Sequence, residues 1–122
     1  MIKLTFCLHR LPGLTCEAFQ DYWYKTHAPL VARHAQVLRI RRYIQLHSTV
    51  TPFNDALRAT RGGPEGYDGV AELWWDSFDD MLATGNSEAA RVAGLELLED
   101  ERKFIDLARS PLWFGEEKSI IG

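Results

Sequence analysis

Four side chains in this sequence have the chemistry of a reactive site: His27, Tyr43, His47 and Glu72. Histidine titrates near neutrality and can take or give a proton. A tyrosine hydroxyl can donate to a carbonyl or enolate oxygen as that oxygen gains charge. A carboxylate set inside an apolar strand is uncommon unless it is paired. His27 and Tyr43 are the candidate catalytic pair. His47 and Glu72 join Phe6, Leu8, Tyr22, Trp23 and Trp75 as candidate ligand-binding residues, because flat aromatic and apolar walls suit a planar ligand.

His27 carries the most weight. It lies in the stretch FQDYWYKTHAPL, Phe19 to Leu30. On a helix, Phe19, Trp23, Leu30 and Val37 fall near one stripe, and His27 follows Trp23 by one turn. An imidazole there points inward and needs a partner or a ligand, since a buried polar group without one costs on the order of a few kcal/mol. Two readings stay open. In one, His27 is a core histidine bonded to a nearby carbonyl. In the other it faces a ligand. Pro29 favours the second, because it frees the carbonyl of Lys25 from its usual helical partner and bends the axis nearby.

Other chemistries find little support. His27 and His34 are one heptad apart, about 10 Å along a helix axis, too far for one ion. No HExxH, CxxC or GxSxG motif occurs, and the glycines of Gly62 to Gly66 lack the spacing of a phosphate loop. Nothing near Cys7 lowers its pKa, and Cys7 and Cys16 have no metal or redox spacing. The expected sites therefore include no metal, and no cofactor is required. A net charge of −3 argues against a nucleic-acid partner. No apolar run reaches the roughly 18 residues of a membrane span, and the start, MIKLTFCLHR, is too interrupted for a signal peptide. The expected compartment is a reducing cytoplasm, with both cysteines as thiols.

The elements that position these residues can be read in order. Ile2 to Arg10 alternates, with Ile2, Leu4, Phe6 and Leu8 on one face of a strand. Thr15 caps a helix that runs to about Val37 with a bend at Pro29. Arg39 to Ser48 is a second strand with Tyr43, Gln45 and His47 on one face and Ile44 and Leu46 on the other. Thr51 and Pro52 start a short helix over Phe53 to Arg61 within a long connection. Tyr67 to Trp75 is a third strand, and Glu72 within it is expected to pair with an arginine of the second. Ser77 caps a short helix, and Asn86 or Ser87 caps the last long one. On that last helix Val92, Leu95, Leu98 and Ile105 form the inner stripe, and Glu96, Glu99, Asp100 and Arg102 the outer. It runs to Ser110 and Pro111, and Leu112 to Ile121 closes the chain as a strand. The order is βαββαβ in one domain over residues 1–122, an α+β ferredoxin-like arrangement with a four-stranded antiparallel sheet. Helices cover one face of such a sheet. Both strand faces carry large apolar side chains, so a second copy is expected on the other face, giving a homodimer.

The motif Phe19-x-x-Tyr22-Trp23-x-x-x-His27-Ala28-Pro29-Leu30 resembles the first-helix signature of the EthD family. Tyr67-Asp68-Gly69-Val70-Ala71-Glu72-Leu73-Trp74 resembles its third strand, and Phe104-Ile105-Asp106, Arg109-Ser110 and Glu116-Glu117 its tail. The resemblance implies a ferredoxin-like monomer that pairs into a dimeric α/β barrel. It implies a ligand between the helices and the sheet, with the motif histidine at His27 and a strand-two tyrosine at Tyr43. Members take their name from a small protein needed for ethyl tert-butyl ether degradation beside a haem monooxygenase system, and are loosely labelled oxidoreductases. Wider relatives include polyketide cyclases, cofactor-free monooxygenases, dehydratase-like proteins, muconolactone isomerases and haem-binding proteins. The isomerases carry a strand-three cysteine where this chain has Leu73. The implied functions are a cofactor-independent enzyme for a small aromatic, polyketide or lactone-like compound, a non-catalytic accessory or binding protein, or a haem-binding member.

Overall fold

The computed structural model describes residues 1–122. Four strands, β1 (Ile2–Leu8), β2 (Arg42–His47), β3 (Gly69–Trp75) and β4 (Leu112–Gly115), form one sheet in the order β2-β3-β1-β4. Every pairing is antiparallel. This is the α+β ferredoxin-like arrangement expected from the alternation of patterns. The helices are α1 (Cys16–Tyr22), α2 (Ala28–His34), α3 (Pro52–Arg61), α4 (Phe78–Ala83) and α5 (Glu88–Glu101). Caps set their starts as the sequence suggests. The hydroxyls of Thr15, Thr51, Ser77 and Ser87 each accept a backbone N–H of the first turn.

Between α1 and α2 the chain forms a π-helical turn, Trp23–His27. The N–H of Ala28 reaches back to the Trp23 carbonyl. Pro29 has no N–H to offer Lys25, so the narrower α pattern is interrupted there. The extra residue shifts the phase of the inner stripe. Phe19 and Trp23 are buried before it, and His27, Leu30 and Val31 after it. The helix ends at His34, short of the expected Val37. A turn follows and closes at Arg39, whose φ of 59° is left-handed.

The register settles which strand faces meet the helices. Leu4 lies opposite Leu73 and Phe6 opposite Ala71 on β3, and Tyr43 on β2 also pairs with Leu73. Tyr43, Gln45 and His47 therefore share the helix-covered face with Leu4, Phe6, Leu8 and Trp75. Phe6, Leu8, Phe19, Trp23, Ala71, Phe104 and Ile105 make up the core between that face and the helices. Gly69 belongs to this packing: a Cβ there would lie 2.4 Å from Cζ3 of Trp23, so the indole can sit flat only on a glycine.

The other face corrects the expectation for Glu72. Its carboxylate pairs with Lys3 of β1 at 3.2 Å, not with an arginine of β2. Trp74 is on this open face too and is roofed by Lys3 and Arg42, whose cations lie 4.9 and 4.6 Å from the ring centroid. Its indole N–H donates to Glu117 at 2.5 Å. Ile44, Leu46 and Trp113 remain exposed there.

The last helix also departs from the sequence reading. Val92 and Leu95 point to solvent, and the buried positions of α5 are Ala90, Ala93 and Asp100. Small residues let α5 lie close beneath its neighbours, which bulky ones at the same positions would prevent. The helix stops at Glu101, and an irregular hook carries Phe104 and Ile105 into the core, where Ile105 bridges to Arg10. β4 is correspondingly short and ends at Gly115.

Candidate active site

A cavity of about 270 Å³ lies between the helices and the covered face of the sheet. Its walls are mostly apolar, from Phe6, Leu8, Trp23, Val31, Trp75 and Leu97 among others, and four polar side chains reach it: His27, Tyr43, Thr84 and Glu101. A concave, mostly apolar space with a few converging polar groups is the usual form of a small-molecule site. No group of three or more His, Cys, Asp and Glu side chains converges as a metal-ligand set.

The π turn delivers His27 to this space, and the end of α5 delivers its partner. Nδ1 of His27 lies 2.7 Å from Oδ2 of Asp100, and both side chains are almost wholly buried. The other Asp100 oxygen accepts the Tyr22 hydroxyl at 2.5 Å. Burial alone would raise the Asp100 pKa, but hydrogen bonds from Tyr22 and His27 outweigh it and hold the carboxyl below its usual range. Burial lowers the pKa of His27 in spite of the opposing pull of Asp100. At neutral pH the pair is therefore a carboxylate and a neutral imidazole. The carboxylate accepts a hydrogen bond from Nδ1–H, which fixes the tautomer and leaves the lone pair on Nε2. Nε2 has no partner within the protein.

Tyr43 is held by a chain along β2. His47 Nε2 meets Gln45 Oε1 at 2.8 Å, and Gln45 Nε2 donates to the Tyr43 hydroxyl oxygen at 2.7 Å. Since Tyr43 accepts that bond, its own proton is free to donate. Burial pushes its pKa up to about 12, so it stays a donor. Glu101 is the last residue of α5; its backbone carbonyl accepts the N–H groups of Phe104 and Ile105, while its carboxyl makes no hydrogen bond or ion pair with the protein.

The structure thus brings together most of the residues singled out from sequence. His27, Tyr43, Phe6, Leu8, Trp23 and Trp75 all line the cavity. Three do not. Tyr22 stands behind His27, bonded to Asp100. His47 stacks on the outer side of Trp23, with ring centroids 4.6 Å apart, and opens onto a shallow groove beside Gln20 and Tyr24. Glu72 is on the opposite face of the sheet with Lys3. Asp100 and Glu101 were missed. Their signal was a stripe of Ala90, Ala93, Leu97 and Asp100 at steps of three and four, hidden because larger apolar residues lie on the other side of the helix.

Comparison with known proteins gives a consistent picture. The family model of the EthD domain matches residues 11–108, which include His27, Tyr43, Asp100 and Glu101. A comparison with curated proteins finds no match. Among solved structures, the chain is similar to an ethyl tert-butyl ether D (EthD) family protein from Bacillus halodurans C-125, with a TM-score of 0.61 and 19% identity over 97% of this chain and 100% of that one. It is also similar to a dimeric protein of unknown function with a ferredoxin-like fold from Bacteroides fragilis NCTC 9343 (TM-score 0.58, 11% identity, 95% of each chain). An EthD-like protein from Ralstonia eutropha JMP134 aligns with a TM-score of 0.57 and 19% identity, over 94% of this chain and 89% of that one. At these identities the structural likeness speaks for the fold.

Proposed function

The chain belongs to the EthD family, and we propose that it binds a small aromatic, polyketide or lactone-like molecule and uses His27 on it as an acid–base group, without a cofactor. One observation carries this reading: a neutral imidazole, oriented by a buried carboxylate at 2.7 Å, borders an apolar cavity with its second nitrogen unpartnered. A histidine that only braced the fold would have its polar atoms satisfied on both sides. Nε2 can take a proton from a ligand carbon or hydroxyl, and the Tyr43 hydroxyl can stabilise the charge that develops on a neighbouring oxygen.

The haem-binding reading fits poorly. His27 is the one histidine that lines this cavity, and a hollow of about 270 Å³ has no room for a macrocycle. A homodimer closed through the open sheet faces is part of the proposal. The exposed Ile44, Leu46 and Trp113 support it, as does the dimeric Bacteroides fragilis relative. No helix is long and apolar enough to cross a membrane. The free thiols Cys7 and Cys16 suit a reducing cytoplasm.

The test pairs native mass spectrometry with thermal melting and turnover of any co-purified compound. In His27→Ala, turnover falls at least about 100-fold, the scale of a lost acid–base group, while the fold melts cooperatively. Unchanged turnover with a lowered Tm makes His27 a brace and leaves a non-catalytic binding protein.

A further inference from the structure

Glu101 is the one carboxylic acid in the cavity wall, and the chemistry assigned to His27 does not use it. Its neighbours are all engaged elsewhere. Asp100 holds His27 and Tyr22 and meets Lys103 at 3.5 Å, while Arg102 turns to Glu99 at 3.4 Å. The charged and titratable groups around Glu101 are Asp100 and Arg102 on its own helix end, Tyr43 from β2, and His27 on the same cavity wall. No lysine or arginine lines the cavity. Burial, and then the charge of Asp100, push the Glu101 pKa up to about 7, against a smaller opposing pull from Arg102. Around neutrality a large share of the molecules carry a protonated carboxyl with no protein acceptor.

The free bonding capacity of the cavity describes what would fill it. Glu101 and Tyr43 each have a proton to donate, and Nε2 of His27 has a lone pair to accept one. Thr84 is already spent, its hydroxyl donating to the Met81 carbonyl at 2.7 Å. A carbonyl oxygen has two lone pairs and can accept both donors. An anion here would be buried without a counter-charge and close to the Asp100 carboxylate, which is costly.

We propose that Glu101 is a ligand-binding hydrogen-bond donor, and that the cavity takes an uncharged, flat, apolar molecule whose carbonyl oxygen meets Glu101 and Tyr43 and whose hydroxyl meets Nε2 of His27. This rests on the cavity being the ligand site, but Glu101's part in it can fail separately. Raising the pH ionises Glu101 and withdraws a donor while adding a repulsive charge, so affinity for a carbonyl ligand drops. His27, already neutral, contributes no such change above pH 6.5.

The experiment titrates the full-length protein with naphthalene, 2-naphthol, 2-acetylnaphthalene, 2-naphthoate and 2-naphthylmethylammonium at pH 6.5 and pH 8, following tryptophan fluorescence. In wild type, 2-acetylnaphthalene binds more tightly than naphthalene and loses about eightfold in affinity between the two pH values, as expected for a donor with a pKa near 7. Naphthalene is unaffected by pH, 2-naphthol loses its advantage over naphthalene in His27→Ala, and 2-naphthoate binds weakly. Glu101→Gln, which keeps a donor that cannot ionise, retains the ketone preference and loses its pH dependence. Glu101→Met loses the preference, and melts of both variants confirm that they fold. If the ketone gains nothing over naphthalene, or if its pH dependence survives in Glu101→Gln, the assignment of Glu101 is overturned while the cavity stands. If the ammonium probe binds most tightly, Glu101 is an ionised anchor and the proposal is again overturned. If no probe binds at either pH, the cavity is not the ligand site and both readings fall.

Discussion

Glu72 and Glu101 are both partly buried glutamates beside aromatic side chains, on opposite faces of one sheet. On the open face the Glu72 carboxylate meets Lys3 at 3.2 Å, and Trp74 beside it is covered by Lys3 and Arg42. On the covered face the Glu101 carboxyl borders an apolar cavity with no cation in its wall and has no partner within the chain. On the open face Glu72 thus finds Lys3, and Arg42 lies over the Trp74 ring, whereas the covered face leaves a lone pair on His27, a hydroxyl proton on Tyr43 and a carboxyl on Glu101 unmatched. Burying polar groups without partners costs stability, and their concentration in one hollow is what supports the ligand site proposed there. The comparison also warns against reading a carboxylate in a strand as a site residue from its position alone.

The largest effect should come from the group that links the cavity to the fold. Asp100→Ala removes the acceptor of both Tyr22 and His27 in a buried setting and should cost about 3–4 kcal/mol in a urea melt. A loss below about 1 kcal/mol would mean that the carboxylate is as weakly engaged as a surface group, and the contrast between the two faces would break.

Next in size is the pH dependence of Glu101→Gln. The folded pKa of Glu101, about 7, lies above its ordinary 4.5, so between those values the folded protein binds more protons than the unfolded chain. Stability contributed by this group is present below pH 4.5 and lost as the pH rises through 7. The variant should match wild type near pH 4.5 and exceed it by roughly 2–3 kcal/mol at pH 8. His27 and Asp100 act in the opposite sense. Both have lowered pKa values in the fold, so their contributions are lost in acid: that of His27 as the pH falls from 6.5 through its folded value, that of Asp100 below 3.8. Chemical denaturation across pH 4.5 to 8 separates the two signs.

The smallest effect sharpens the contrast from the other side. Lys3→Met leaves Glu72 partly exposed, so loss of the ion pair should cost no more than about 1 kcal/mol, fading with added salt. A cost as large as that of Asp100→Ala would show the open face to be equally demanding.

Much of the fold is legible along the chain because it depends on neighbours in sequence. Alternation in Ile2 to Leu8 identifies β1 and its apolar face. The hydroxyls of Thr15, Thr51, Ser77 and Ser87 mark helix starts, since a cap bonds within three residues of itself. The inward aim of His27 follows from its turn-by-turn relation to Trp23, and Pro29 points to a disturbed helix there, although not to the π turn that replaces it. The match of the EthD domain model to residues 11–108 agrees with the motif around these residues.

The partners of the site were decided elsewhere. Asp100 is 73 positions from His27, and a helical stripe built of Ala90, Ala93 and Leu97 gives a weaker apolar signal than Val92 and Leu95 on the outside. Which face of β2 turns inward depends on its register with β3, where a shift of one residue would send Tyr43 outward and Ile44 in. The chain by itself determined its strands, its caps and one inward histidine, because those rest on local periodicity. Only packing could choose the carboxylate that holds that histidine, the pairing of Glu72 with Lys3 and the solitude of Glu101, because each depends on which distant side chains the folded backbone brings within reach of a hydrogen bond.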